Sequence, residues 1–274
     1  MVACPMVTTQ SLQPAPMDSG VSIHASAPMI PRIIHQTWRT HDIPPHLRAF
    51  QDSWRVHHPD WEYRLWVDEE ISELIRDFYP QFWDFFNRLE PKIMKIDFAR
   101  VAFMHRFGGL YVDLDFEALR PLTPLLGDSK VLVGREQGGI GMYLRGRDFI
   151  CNALLASPAG HPLWLEVMHE MVRRYRPRRS FEQEPFYVLQ LSLEGFDAVL
   201  EAYAQRNQDI IITSHEVFYP APPGCRLEQT RRELASDLGS YAIHHFEGSW
   251  LGWRAKCANL RRALGQWFQQ RMRK

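Results

Sequence analysis

Gly108-Gly109, followed by Leu110-Tyr111-Val112-Asp113-Leu114-Asp115-Phe116, constrains this chain more than any other stretch. Paired glycines stop a preceding helix, because the left-handed backbone region is open to glycine at little cost. The apolar run after them reads as a strand entering a core. Side chains alternate along a strand, so Tyr111, Asp113 and Asp115 are expected on one face. Leu110, Val112, Leu114 and Phe116 belong on the other. Two carboxylates on one face repel each other and resist desolvation unless a cation joins them. Mg²⁺ and Mn²⁺ take oxygen ligands and leave positions open for phosphates. A divalent ion joining Asp113 and Asp115 to a diphosphate is therefore the first chemical expectation. A bare Asp-x-Asp arises about once by chance in a chain this long, at roughly 6% for each acidic type. The flanking residues have to decide.

The rest of the chain reads as strands alternating with helices. Strands are expected within Ile30–Trp38, Trp61–Trp66, Val131–Val133, Ile210–Ile212 and Tyr241–His244. Helices are expected over 43–57, 69–78, 80–89 and 161–175, and from Pro91, as first helical residue, to Phe107. The class is α/β. At 274 residues the chain can bury a sizeable core without staples. Residues 1–28, rich in Ser, Thr, Pro, Gln and Ala, read as a disordered tail, 29–250 as one domain, and 251–274 as a separate helix. Lys+Arg and Asp+Glu balance at 32 each, which gives no pointer to nucleic acid. The four cysteines are scattered with no CxxC, so neither a disulfide framework nor a zinc site is indicated and a reducing compartment fits. No apolar run is long enough to span a membrane, and no secretory leader is evident. A cytoplasmic location is the expectation.

Several residues could join the two acids. Asp97 and Arg100 stand at i and i+3 on the helix before the glycines, as a surface ion pair or as an acid and a guanidinium that grip sugar hydroxyls. Trp38 ends the first strand beside His35 and Gln36, where open α/β sheets bind ligands. It could stack a nucleobase or belong to the core. His244 closes a late apolar run and could complete a metal shell through imidazole. Ser249 and Trp250 follow with a hydroxyl and an indole. Beyond Trp250 stand seven Lys/Arg and no acid. There Trp253, Cys257, Leu260, Leu264 and Trp267 form one helical stripe, suited to an anionic membrane surface or to packing on the domain.

In this order the pieces resemble glycosyltransferase family 32, the Asp-x-Asp sugar-binding transferases. The resemblance runs over Ile30–Trp38, Ala49–Trp66, Asp97–Leu122, Asn152–Pro162 and Tyr241–Trp250. Its most specific parts are Asp97-x-x-Arg100 before Gly-Gly-Leu-Tyr-x-Asp-x-Asp, and His244 before Gly-Ser-Trp. It implies a GT-A-type nucleotide-sugar-binding fold, with a mixed central sheet flanked by helices. It also implies Mn²⁺ or Mg²⁺, a UDP- or GDP-hexose donor, and transfer with retention to a glycan or glycolipid hydroxyl. Carried over residue by residue, Asp113, Asp115 and His244 would hold the metal. Asp97 and Arg100 would hold the donor sugar. Trp38, Gly109, Tyr111, Ser249 and Trp250 would line the rest of the donor site, with Asn152 near the cleft. Many relatives carry Thr-Gly-Pro where this chain has Phe181–Phe186 and keeps only Pro185. Two other classes compete. A haloacid-dehalogenase-like phosphatase expects Thr or Val where Glu117 stands. A sugar-nucleotide-binding protein without turnover would keep the same acids.

Overall fold

The computed structural model describes residues 29–127, 130–138, 146–225 and 227–248. The expected tail over 1–28, the C-terminal helix over 251–274, and Ser249 and Trp250 lie outside these residues.

The elements run β1 (Ile33–Thr37), α1 (Pro45–His57), β2 (Glu62–Trp66), α2 (Asp68–Phe78), α3 (Trp83–Arg88), α4 (Ile93–Arg106), β3 (Gly109–Val112) and β4 (Phe116–Ala118). They continue with β5 (Val131–Glu136), β6 (Phe149–Ser157), α5 (Leu163–Arg174), α6 (Glu184–Val188), a π-helical turn (Leu189–Leu193) and α7 (Glu194–Ala204). Last come β7 (Ile210–Thr213), α8 (His215–Phe218), α9 (Glu228–Leu238) and β8 (Ala242–His244). Six strands form one mixed sheet in the order β2-β1-β3-β6-β5-β7. The β1–β2, β1–β3 and β5–β7 pairs are parallel, while β6 runs antiparallel to both β3 and β5. β4 and β8 make a separate antiparallel pair. The expected mixed sheet flanked by helices is what the chain builds.

The sheet separates two apolar layers. On one face Trp66, Phe98, Phe103, Tyr111, Val133, Leu155, Trp164 and Phe196 pack with α2 to α5 and α7. On the other, Ile34, Trp54, Leu110, Val112, Phe116, Ala153, Phe218 and Tyr219 pack with α1, α8 and the small sheet. Helix α4 is buried from Asp97 through Met104, so its polar residues lie inside the protein. It opens at Ile93, two residues after the expected Pro91. The Pro91 carbonyl takes the Met94 N–H at 2.9 Å, a three-residue turn that precedes the helical ladder.

The glycine pair does more than end α4. Gly108 and Gly109 have φ of +64° and +85°. A Cβ on Gly109 would stand 2.5 Å from Ile33 Cγ2 and the Ile33 carbonyl oxygen. At Gly109 the close approach that demands glycine is thus to strand β1.

His35, beside that contact, is fully buried. Its Nδ1 accepts the Trp66 indole N–H at 3.0 Å, and its Nε2–H donates to the Gly108 carbonyl at 3.0 Å. Both nitrogens are satisfied only by the neutral ring. Burial holds its pKa down to about 4. The unfolded chain takes up this proton near pH 6.5 and the folded chain does not. Stability is therefore full above that pH and falls as pH drops toward 4, by roughly 3 kcal/mol from this residue. Urea denaturation at pH 7 and pH 4.5 should show the loss, and His35→Gln should flatten it. Equal pH slopes in the two proteins would refute this role.

Candidate active site

The Asp-x-Asp acids do not lie on a strand. β3 ends at Val112, and Asp113 through Asp115 form a turn in which the Asp113 carbonyl takes the Phe116 N–H at 3.0 Å. Simple alternation therefore fails beyond Val112. The turn is anchored on both sides. Asp113 N–H donates to the Ala153 carbonyl of β6 at 2.8 Å, and Phe116 pairs with His244 in the β4–β8 sheet. That register brings His244 to the acids. Asp113, Asp115 and His244 each offer a ligand atom within 4.8 Å of the other two.

His244 is buried, stacked on Phe116 at a 4.5 Å centroid distance and 4° between planes. Its Nε2 stands 3.4 Å from Asp115 Oδ1, and its Nδ1 is buried with no hydrogen-bond partner among the described residues. Burial works to lower the His244 pKa, but the Asp115 charge outweighs it and the ring holds its proton above the usual range. Burial works to raise Asp115, but the His244 charge and the Glu247 N–H bring it below the ordinary value. Asp113 is pushed up by burial, with Arg100 opposing. Two carboxylates and an imidazole, one ring nitrogen of it orphaned, fit Mn²⁺ or Mg²⁺. Ligation needs the neutral imidazole, so ion and proton compete for His244.

The loop after β8 closes over Asp115. His245 N–H donates to the Asp115 carbonyl at 3.0 Å, and Glu247 N–H to Asp115 Oδ2 at 2.8 Å. Between them Phe246 adopts φ +53°, a left-handed conformation that costs a bulky residue about 1–3 kcal/mol. His245 is buried too. It rings on Phe50 at 4.0 Å, meets Glu117 at 3.0 Å through Nε2, and lies 2.8 Å from Arg231 through Nδ1. Glu117 also takes Arg232 of α9 at 2.8 Å. The late helix is thereby tied to the strand after the acids.

Toward α4 lies a buried polar knot. Arg100, 3% exposed, sits 3.3 Å from both Asp97 Oδ1 and Asp113 Oδ1. Its Nη1 donates to the backbone carbonyl and the side-chain oxygen of Asn152 at 2.9 and 3.0 Å. Asn152 Nδ2 returns a bond to Asp97 Oδ1 at 3.0 Å. Tyr111, fully buried, donates to Asp113 Oδ1 at 2.6 Å and meets Thr37 Oγ1 at 3.3 Å. Asp97 and Arg100 are thus a buried pair joined to Asp113, where the sequence left a surface pair open. Trp38 lies half-buried beside Ile43, Leu47 and Leu114, against the Asp-x-Asp turn. Gly109 is buried against β1.

Glu136, Cys151 and Tyr219 escaped the sequence reading. Cys151 Sγ lies 3.2 Å from Glu136 Oε2, and Tyr219 stands edge-on to His244 with centroids 5.8 Å apart. No short-range spacing marks them. They meet only because β5 and β6 pair and α8 folds back.

Residues 44–132 match the family described as the glycosyltransferase sugar-binding region containing a DXD motif. Two fungal proteins are among its relatives. The chain is 34% identical over 143 residues to a mannosyl phosphorylinositol ceramide synthase of Saccharomyces cerevisiae, a match over 52% of this chain and 35% of that protein. It is 35% identical over 144 residues to inositol phosphoceramide mannosyltransferase 3 of Schizosaccharomyces pombe, over 53% of this chain and 38% of the relative. The chain thus spans little more than a third of these relatives' length. Among solved structures, PaToxG glycosyltransferase superposes with a TM-score of 0.45 at 16% identity, covering 63% of this chain and 69% of that one. No helix among the described residues is long and apolar enough to cross a membrane.

Proposed function

We propose that this chain is a metal-dependent, retaining hexosyltransferase of the GT-A type. It moves a hexose from a UDP- or GDP-sugar to a hydroxyl of a glycan or glycolipid. The observation that carries this reading is the convergence of Asp113, Asp115 and His244 within 4.8 Å, on a turn braced by the buried Asp97–Arg100–Asn152 knot. The named activities of the fungal relatives favour mannose as the sugar and an inositol phosphoceramide as the acceptor.

Asp113, Asp115 and His244 would hold the metal. Bound there, Mn²⁺ or Mg²⁺ would offset charge on the leaving diphosphate. Asp97 would take hydroxyls of the donor sugar. Arg100 would act on it through the carboxylates it orients, and Tyr111 through Asp113. Trp38 would stack the base, Gly109 would shape the donor-site backbone, and Ser249 and Trp250 would approach the phosphates. The basic amphipathic helix expected over 251–274 would rest on the membrane that presents the acceptor.

The test is a panel of UDP- and GDP-hexoses with Mn²⁺, scored by nucleotide release. Release from one donor that vanishes with EDTA supports the reading and names the donor. Donor binding by calorimetry without release, with inositol phosphoceramide present, would turn it into a sugar-nucleotide-binding protein. Phosphatase chemistry is disfavoured by Glu117, whose carboxylate is spent on His245 and Arg232.

A further inference from the structure

We propose that Glu136 is the acceptor-side carboxylate of this site and takes hydrogen bonds from neighbouring hydroxyls of a polyol headgroup. The inference rests on the transferase reading and names a residue that reading does not use.

The register places Glu136 at the working rim of the sheet. Strand β6 enters that rim with Phe149 to Ala153, because Val112 pairs with Leu154 and Glu136 pairs with Phe149. Glu136 therefore ends β5 on the same edge at which β3 delivers Asp113. It stands on the opposite side of the acids from Asp97. Asp97, Arg100 and Asn152 meet on the α4 side. Glu136 meets Cys151, which packs in the other layer with Phe116 and Tyr219. Gly134 makes room for this wall, since a Cβ there would lie 2.8 Å from Phe218 and 3.0 Å from Tyr219. Two carboxylates thus flank the Asp-x-Asp turn from its two sides. Asp97 faces the side given to the donor sugar, which leaves the Glu136 side for the second substrate.

What Glu136 is bonded to sets it apart from the other sequestered acids. Asp197 takes Arg147 and the Ile150 N–H, Glu201 takes Arg135, and Glu117 takes His245 and Arg232. Among the described residues, Glu136 has one hydrogen-bond partner, the Cys151 thiol at 3.2 Å, and a thiol is a weak donor. A carboxylate offers about four acceptor positions. Those left open can take two adjacent hydroxyls of a cyclitol or sugar. Glu136 is not one of the three residues grouped as metal ligands. Burial is the main influence on Glu136 itself and pushes its pKa up. A half-buried acid with so weak a partner suits a site that a ligand completes.

Glu136→Gln keeps the shape and removes the charge and one acceptor oxygen. With GDP-mannose and inositol phosphoceramide in mixed micelles, it should raise the acceptor KM at least tenfold and move the donor KM less than threefold. An unchanged acceptor KM, or equal rises in both, would overturn the proposal. A second measurement stands apart from turnover. In saturation-transfer NMR with myo-inositol alone, the wild type should label the ring protons and Glu136→Gln should lose most of that signal. Equal signals, or none with the wild type, would also overturn it. If the wild type releases nucleotide from no donor, the transferase reading fails, and the myo-inositol comparison still decides the role of Glu136.

Discussion

Asp115→Asn should lower nucleotide release from the preferred donor by about a hundredfold to a thousandfold and weaken Mn²⁺ binding to match. The size follows from what is removed. One carboxylate leaves the three groups proposed to hold the metal, and mutations of residues that stabilise developing charge in other enzymes cost about 10²–10³ each. Asn is the informative replacement, because its side-chain oxygen can still accept the Glu247 N–H that Asp115 Oδ2 now takes at 2.8 Å. The loop after β8 then stays in place, and the loss reports on charge. Thermal melting without metal should stay within a few degrees of the wild type. Mn²⁺ should raise the melting temperature of the wild type and not of the variant. A variant that keeps a tenth of its activity, or the same Mn²⁺ shift, would remove Asp115 from the metal site.

The largest effect on stability is expected at Arg100. Arg100→Ala removes the guanidinium that Asp97 and Asp113 both face at 3.3 Å and takes two donors from Asn152. Breaking a buried pair from one side leaves an uncompensated charge and costs about 3–5 kcal/mol. Here two acids are left behind. Arg100→Lys should recover only part, because an ammonium cannot reproduce the planar fork that serves Asn152 and both carboxylates together. Urea denaturation of the three proteins checks the order wild type, Lys, Ala. A loss below about 1 kcal/mol for Arg100→Ala would mean that the pairs are not structural. Arg100 would then be free to reach a ligand directly.

The sequence was most legible where a local rule acts alone. Helical spacing marks Leu47, Phe50 and Trp54 of α1, of which Leu47 and Trp54 are buried and Phe50 is partly so. The glycine pair ends α4, and Gly108 takes the left-handed conformation there. Asp97 and Arg100 could be paired from their spacing, but not their burial. That burial comes from α4 lying between the sheet and α2 and α5. β6 was the main omission. Phe-Ile-Cys-Asn-Ala-Leu-Leu-Ala-Ser is covered on both faces and shows no alternation, so its period cannot separate strand from buried helix. The Asp-x-Asp segment erred the other way. It alternates like a strand, yet the chain must turn after Val112 to leave the large sheet for β4. Nothing in the spacing of His244 and His245 shows that both are buried. Glu117, 128 positions earlier, is what lets His245 be buried as well.

The pairing of Phe116 with His244 sets a limit on what can be cut from this protein or moved into another. The family match ends at residue 132. An excised 44–132 segment would carry both acids but lack β6, which lies between β3 and β5, and the strand that delivers the imidazole. A chimera that grafts this segment onto a foreign C-terminal half must also reproduce the β8 register. A slip of one residue would turn His244 away and present Ile243 or His245 to the acids. The matched region is thus a portion of the candidate site that is not portable by itself. Libraries that vary specificity here should exchange the two ends of the domain together.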